Sequence, residues 1–124
     1  MSLESVRLNA KARNQLISIK RKTRIENWNI LCRWAFCVSL LRPEPPSDTL
    51  LGGEAAVEMT WKTFGGEYSD VYLGLLKLRC LDEGLPLDEE TLSKQLRKHL
   101  HRGIGQIAGK KDLASIEDLI HLAI

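Results

Sequence analysis

The order of apolar and polar positions predicts a strand and two helices in the first third of the chain. Ser5–Asn9 alternates, with Val6 and Leu8 on one face, which is typical of a strand with one buried face. A helical period follows, and its apolar stripe consists of Ala12, Leu16, Ile19 and Thr23. A second helix, at about Asn29–Leu41, is apolar nearly all round, so we expect it to be buried on most sides, against a partner chain as well as its own.

The predicted strand has no evident partner within its own chain. An isolated strand is unstable because its backbone groups stay unpaired and its apolar face stays uncovered. We therefore expect it to pair with the same strand of a second copy. The order strand, helix, turn, helix is similar to that of the ribbon-helix-helix DNA-binding dimers, and residues 1–42 are interpreted as such a unit. A glycine often ends the first helix in those proteins, and Arg24 occupies the comparable place here.

The remainder, residues 54–124, is interpreted as a small helical part with one further possible strand. A proline-rich surface connection at Arg42–Gly53 precedes it. Ala56–Phe64 alternates and predicts a strand, although an amphipathic helix also fits. Helices are predicted at Tyr68–Leu81, from the cap residue Asp88 to about Arg102, and at residues 119–124 after a capping-box pattern at Ser115–Asp118. The predicted fold class is mainly α, in a single domain spanning residues 1–124.

Charge is distributed unevenly along the chain. The net charge is only +2, yet no acidic residue occurs between Glu4 and Glu26. Within that interval lie seven basic residues: Arg7, Lys11, Arg13, Lys20, Arg21, Lys22 and Arg24. A solvated face normally mixes both signs of charge, so this segment favours contact with phosphate groups, although a purely solubilising face remains an alternative.

A second basic stripe is predicted on the helix that starts at Asp88. Its members recur at helical spacing opposite the leucines: Lys94, Arg97, Lys98 and Arg102, with His101 beside them. Basic residues near the carboxy-terminal end of a helix also stabilise the helix itself, so this stripe carries less weight for nucleic-acid binding.

The sequence offers no convincing catalytic or metal site. His99 and His101 are two residues apart, whereas shared metal ligation along a helix prefers a spacing of three or four. The three cysteines, Cys32, Cys37 and Cys80, lack metal-ligand spacing and are expected to be buried, reduced thiols in a cytoplasmic protein. The apolar helix is too short to cross a bilayer. We therefore expect no metal, no cofactor, no membrane contact and no enzymatic activity.

Four sequence blocks resemble the DndE family of DNA sulfur-modification proteins. They are MSLESVRL, LISIKRKTRIENWNILCRWAFCVSL, EMTWKTFGGEYSDVY, and LHRGIGQIAG together with SIEDLI. The resemblance covers nearly the full length, and FGGEY and HRGIG are its most specific parts.

This resemblance implies a role in DNA phosphorothioation, in which sulfur replaces a non-bridging phosphate oxygen. The sulfur chemistry would belong to other subunits: a cysteine desulfurase, an iron–sulfur protein and an ATPase. The small member would bind double-stranded, nicked DNA as a homo-oligomer, a tetramer. Three alternatives remain at this point: a ribbon-helix-helix transcriptional regulator, a structural adaptor between the other subunits, and a nicking enzyme.

Overall fold

The computed structural model describes residue 3, residues 5–110 and residues 120–121, and over this part the chain is mostly helical. This confirms the mainly α fold class. In chain order the elements are β1 (Ser5–Asn9), α1 (Ala10–Thr23), α2 (Trp28–Leu40), β2 (Ala55–Thr60), α3 (Trp61–Gly65), α4 (Ser69–Asp82) and α5 (Glu89–Ala108). The predicted final helix at residues 119–124 and its capping box lie outside the described residues, except for Ile120 and His121.

The strand β1 pairs with β2 of the same chain, so the expectation that it lacks a partner there is wrong. The two strands are antiparallel, and their register places Val6 opposite Met59 and Leu8 opposite Val57. The buried Val6 and Leu8 and the half-buried Val57 and Met59 belong to or pack against one core. Since β1 is satisfied within its chain, a ribbon-helix-helix-like unit in residues 1–42 is not confirmed.

The alternating segment at Ala56–Phe64 contains both of the structures that its pattern allowed. It is a strand as far as Thr60, whose hydroxyl then accepts a hydrogen bond from the N–H of Thr63 at 3.0 Å and caps α3. Trp61 and Phe64 lie on the inner side of this short helix. The alternating pattern therefore ends with the strand at Thr60, and the helical spacing of these two aromatic residues belongs to α3.

The helices α2 and α5 cross closely at Gly103. A Cβ atom added at Gly103 would lie 1.8 Å from the carbonyl oxygen of Ala35, which only glycine avoids. The helix α5 continues through this glycine to Ala108, so the predicted end at about Arg102 is wrong. Gly103 therefore serves helix packing rather than helix termination.

The apolar helix α2 is only partly enclosed by its own chain. Leu31, Cys32, Ala35 and Phe36 are buried, whereas Cys37 is exposed. The expectation of three buried thiols is therefore wrong for Cys37, although Cys32 and Cys80 are buried as expected. The helix packs on α5 with one side, and Cys37 lies on another.

Candidate nucleic-acid interface

Helix α1 is fixed at its amino terminus by Asn9, the last residue of β1. The Oδ1 atom of Asn9 accepts a hydrogen bond from the N–H of Ala12 at 2.9 Å and caps the helix. Its Nδ2 donates to the carbonyls of Leu50 and Gly52, at 3.1 Å and 2.8 Å. Its backbone N–H donates to Nε2 of His101 at 3.2 Å. The start of α1 is therefore tied to α5 and to the long loop between α2 and β2, residues 41–54.

The inner stripe of α1 determines which of its side chains face solvent. The residues predicted from the helical period, Ala12, Leu16, Ile19 and Thr23, are all buried, which confirms that prediction. The basic residues consequently lie on the remaining sides of the helix. Lys22 is half-buried, and five others are exposed: Lys11, Arg13, Lys20, Arg21 and Arg24. Over the described part of the chain, the ion pairs involve none of these six residues.

The carboxy-terminal end of α1 concentrates this charge. Arg24 takes the left-handed conformation, with φ 63° and ψ 15°, and its N–H donates to the carbonyl of Lys20 at 2.8 Å. This is the cap position at which glycine is the common choice, because a Cβ atom costs roughly 1 kcal/mol there. A surface cavity of about 390 Å³ is lined here by Ile17, Lys20, Arg21, Arg24 and Glu26. Backbone conformation and charge therefore coincide at one concave surface.

The structure brings Arg7 of β1 close to Arg97 of α5, which the sequence assigned to two separate groups. Both line a cavity of about 460 Å³, which Glu89 and Glu90 also line. Arg7 also forms a 3.6 Å ion pair with Glu58, but both side chains are more than half exposed and such pairs contribute little. The Nε atom of Arg97 is buried and has no hydrogen-bond partner among the described residues. The opposite charges around this cavity leave it less cationic than the end of α1.

Two lysines of the second basic stripe share one carboxylate. Nζ of Lys98 lies 2.8 Å from Oδ1 of Asp48, and Nζ of Lys94 lies 3.7 Å from the same oxygen. The hydrogen bond from Lys98, together with both positive charges, holds the pKa of the Asp48 carboxyl below its usual value. The side chain of Lys98 is only 10% exposed. Lys98 therefore holds the long loop against α5 and presents little charge to solvent.

Arg102, the last member of the second stripe, is bound to backbone and side-chain oxygens. Its Nε and Nη2 donate to Oγ and to the carbonyl of Ser39 at 2.9 Å and 2.8 Å, and its Nη1 donates to the carbonyl of Glu44 at 2.6 Å. The second stripe is therefore largely engaged in holding α5 to α2 and to the loop. Sequence periodicity missed this because the leucines on one face do not show that other elements cover the opposite face.

A buried serine–histidine pair lies next to Arg102. Nδ1 of His99 is 2.8 Å from Oγ of Ser39, and both residues are fully buried. Burial, helped by the charges of Arg102, Arg79 and Lys98, lowers the pKa of His99 to about 3, so its ring is neutral at pH 7. Because no substrate could reach this pair and Arg102 already donates to Ser39, the arrangement is structural. Ser39 was the visible signal, as one of the few polar residues in an apolar helix.

The three cysteine thiols remain protonated at neutral pH. Desolvation raises the pKa of all three thiols, including the exposed but partly covered Cys37, and brings that of Cys32 to about 12, so none is activated as a thiolate. Within the described ranges, no cluster of histidine, cysteine and carboxylate residues has the arrangement of a metal site. Within the same ranges, no helix has the length and apolar character that crossing a membrane requires.

Comparison with known families accounts for most of the chain. A family model described as DNA sulphur modification protein DndE matches residues 5–115. The chain belongs to the DndE family. A comparison with individually curated proteins finds no match. Membership in this family implies a role in DNA sulfur modification and an association with the machinery that carries it out.

Proposed function

We propose that the chain is a non-enzymatic, DNA-binding subunit of the phosphorothioation machinery, which binds duplex DNA as a homo-oligomer through phosphate contacts. One observation carries the proposal: the cations of α1 form no ion pair with a described residue, whereas most of those of α5 are paired with Asp48 or engaged in holding the fold. Lys94 and Lys98 share Asp48, and Arg102 binds backbone oxygens. Lys20, Arg21 and Lys22 have no such partner among the described residues.

A DNA backbone is the partner whose charge best suits this surface. The cations lie along both flanks of the buried stripe of α1, with Arg21 between them on the outer side and Arg24 at the left-handed cap. They therefore surround the solvent-facing side of the helix, and each phosphate that they neutralise releases condensed counterions. The modification implied by the family acts on the same phosphate groups. Contacts of this kind position a protein on DNA without reading its sequence.

Removing three adjacent cations tests the proposal. The variant Lys20→Ala/Arg21→Ala/Lys22→Ala should bind any duplex more weakly, and the slope of log K against log salt should become shallower by about 2–3. The free energy of unfolding should change little, because these side chains make no described ion pairs. Fluorescence anisotropy with a labelled duplex at several salt concentrations measures the slope.

The matched control removes a cation that lies outside α1. Lys62 is exposed and forms no ion pair with a described residue, and the variant Lys62→Ala should keep the wild-type slope. An unchanged slope in the triple variant would refute the assignment of α1 as the DNA-binding surface. Failure of the wild-type chain to bind DNA at low salt would instead support a structural adaptor.

We further propose that the chain prefers a nick over a particular base sequence. The pairing of β1 with β2 removes the observation that favoured a ribbon-helix-helix regulator. Unlabelled nicked duplex should therefore compete better than intact duplex, and scrambling the sequence should have no effect. Competition that depends on sequence would favour the regulator. Strand breaks that require a divalent metal would identify a nicking enzyme and contradict the non-enzymatic assignment.

A further inference from the structure

Helix α4 presents an apolar face to solvent. Its large side chains on this side are 39–60% exposed: Tyr68 at the end of the preceding turn, and Val71, Leu75, Leu78 and Leu81. Isolated exposed apolar residues are normal, but a contiguous set along one helix is typical of an interaction surface. Four of them, from Tyr68 to Leu78, are separated by three, four and three residues, which is the spacing of a helix-pairing seam.

The orientation of α4 is fixed from its inner side, so this exposure follows from the fold. Leu76 and Cys80 are buried in the core. The guanidinium of Arg79 donates to the carbonyl of Leu40 at 2.9 Å and to that of Arg42, and it forms a 3.1 Å ion pair with Glu83. These bonds hold α4 against the end of α2. The helix cannot turn its apolar side inward without breaking them.

We propose that this face packs against the same face of a second copy, with the two α4 helices antiparallel about a two-fold axis beside Gly74. This α4–α4 contact would be one interface of the homo-oligomer in the proposed function, and it does not depend on DNA binding. Two-fold interfaces require a surface that complements itself. An antiparallel arrangement centred between Gly74 and Leu75 places Val71 opposite the partner's Leu78, and Tyr68 near the partner's Leu81.

Two features of the α4 face, one at its centre and one on its flank, support a second copy as its partner. Gly74 lies on the exposed side, and no described atom lies within 4 Å of a Cβ atom added there, so another backbone has room to approach. Asp70 and Lys77 lie on one flank, and neither forms an ion pair with a described residue. The antiparallel arrangement brings Asp70 of one copy within reach of the partner's Lys77. One antiparallel register therefore brings apolar residues of the two copies together and also pairs their opposite charges.

Mass in solution tests whether this face is an interface. The full-length variant Leu75→Glu/Leu78→Glu should have half the wild-type molar mass by sedimentation equilibrium, since burying four carboxylates at a two-fold seam is strongly unfavourable. Both side chains are exposed, so circular dichroism and the melting temperature should remain those of a folded protomer. The control Ala56→Glu, an exposed position on β2, should keep the wild-type mass.

A cross-link tests the register. In a Cys37→Ser background, which removes the exposed native thiol, the variant Val71→Cys/Leu78→Cys should form a covalent dimer on mild oxidation. Neither single cysteine should do so. A disulfide within one chain is excluded because residues seven apart on a helix are about 10 Å apart.

Each outcome separates this inference from the proposed function. A wild-type oligomer whose mass is unchanged by Leu75→Glu/Leu78→Glu overturns the α4 interface and leaves DNA binding untouched. A monomeric wild type overturns the α4 interface and the proposed homo-oligomer together. Self-cross-linking of Val71→Cys alone contradicts the antiparallel register. Loss of binding to another modification subunit, with wild-type mass retained, would show that the face serves a different protein.

Discussion

At the scale of single residues, His99 is a group whose ionisation is linked to folding. Its pKa is lowered to about 3 by burial and nearby cations, so the unfolded chain binds a proton more readily between about pH 3 and pH 6.5. Its contribution to stability is therefore complete at neutral pH and is lost as the pH falls below about 6.5. His101 is shifted in the same direction, again mainly by burial.

This linkage gives a prediction about acid stability. Lowering the pH from 7 to 5 should reduce the free energy of unfolding of the wild type through His99 by roughly 2 kcal/mol. The variant His99→Phe, which keeps a ring beside Phe36, should lose most of that pH dependence whatever its stability at pH 7. Urea unfolding at the two pH values measures the difference. The exposed His121→Gln is the control, and equal pH dependence in wild type and His99→Phe would disprove the buried neutral state.

Some single residues could be interpreted from the sequence and others could not. Asp88 was recognisable as a cap, and its Oδ1 accepts from the N–H of Thr91 at 2.8 Å. Arg24, in the place of a cap glycine, put the cap geometry in doubt, but the structure gives Arg24 the left-handed conformation of that cap. The pairing of Ser39 with His99 was not recognisable, because it joins residues on two helices that are far apart in sequence.

At the scale of elements, the contact between α2 and α5 depends on one glycine. The variant Gly103→Ala should lower the free energy of unfolding by about 3 kcal/mol or more, because the added methyl group overlaps the Ala35 carbonyl and the helices must separate. Thermal or urea unfolding measures the loss.

The matched control lies two residues further along the same helix. A Cβ atom added at Gly105 has Nε2 of Gln15 as its nearest neighbour, at 3.8 Å, an ordinary contact. Because alanine favours helix, Gly105→Ala should be neutral or stabilising by up to about 1 kcal/mol. Equal destabilisation by both substitutions would mean that the helix crossing is not where the structure has it.

Element type was more predictable than element partnership. The spacing of apolar residues in α1 predicted its buried residues correctly, because the side of a helix that faces the core carries apolar residues at the helical period. The strand β1 was found but its partner was not, because pairing with β2 is a long-range contact across the loop. The end of α5 was misplaced because glycine normally marks a helix end, and here close helix packing outweighs that tendency.

At the scale of the whole molecule, the sequence identified the basic segment and its family but not the distribution of charge over the surface. From the sequence, the stripe containing Lys98 carried less weight than the segment containing Lys20, but only because basic residues stabilise the end of a helix. In the structure, Lys98 is nearly buried and holds the exposed Asp48, whereas Lys20 is exposed without an ion-pair partner among the described residues. Likewise, the apolar positions of α4 were visible in the sequence, but which of them face solvent depends on how Arg79 anchors the helix. Three-dimensional context therefore decides which charged and apolar residues remain available to partners.

The most direct test of the account is lysine footprinting of the wild-type protein with and without nicked duplex DNA. Amine acetylation, quantified by mass spectrometry, should be suppressed by DNA at Lys11, Lys20 and Lys22 and unchanged at Lys62, which is exposed outside α1. Protection at Lys62 with continued reactivity at Lys20 and Lys22, or no protection of α1 under conditions where DNA is bound, would contradict the central claim that α1 meets the phosphate backbone.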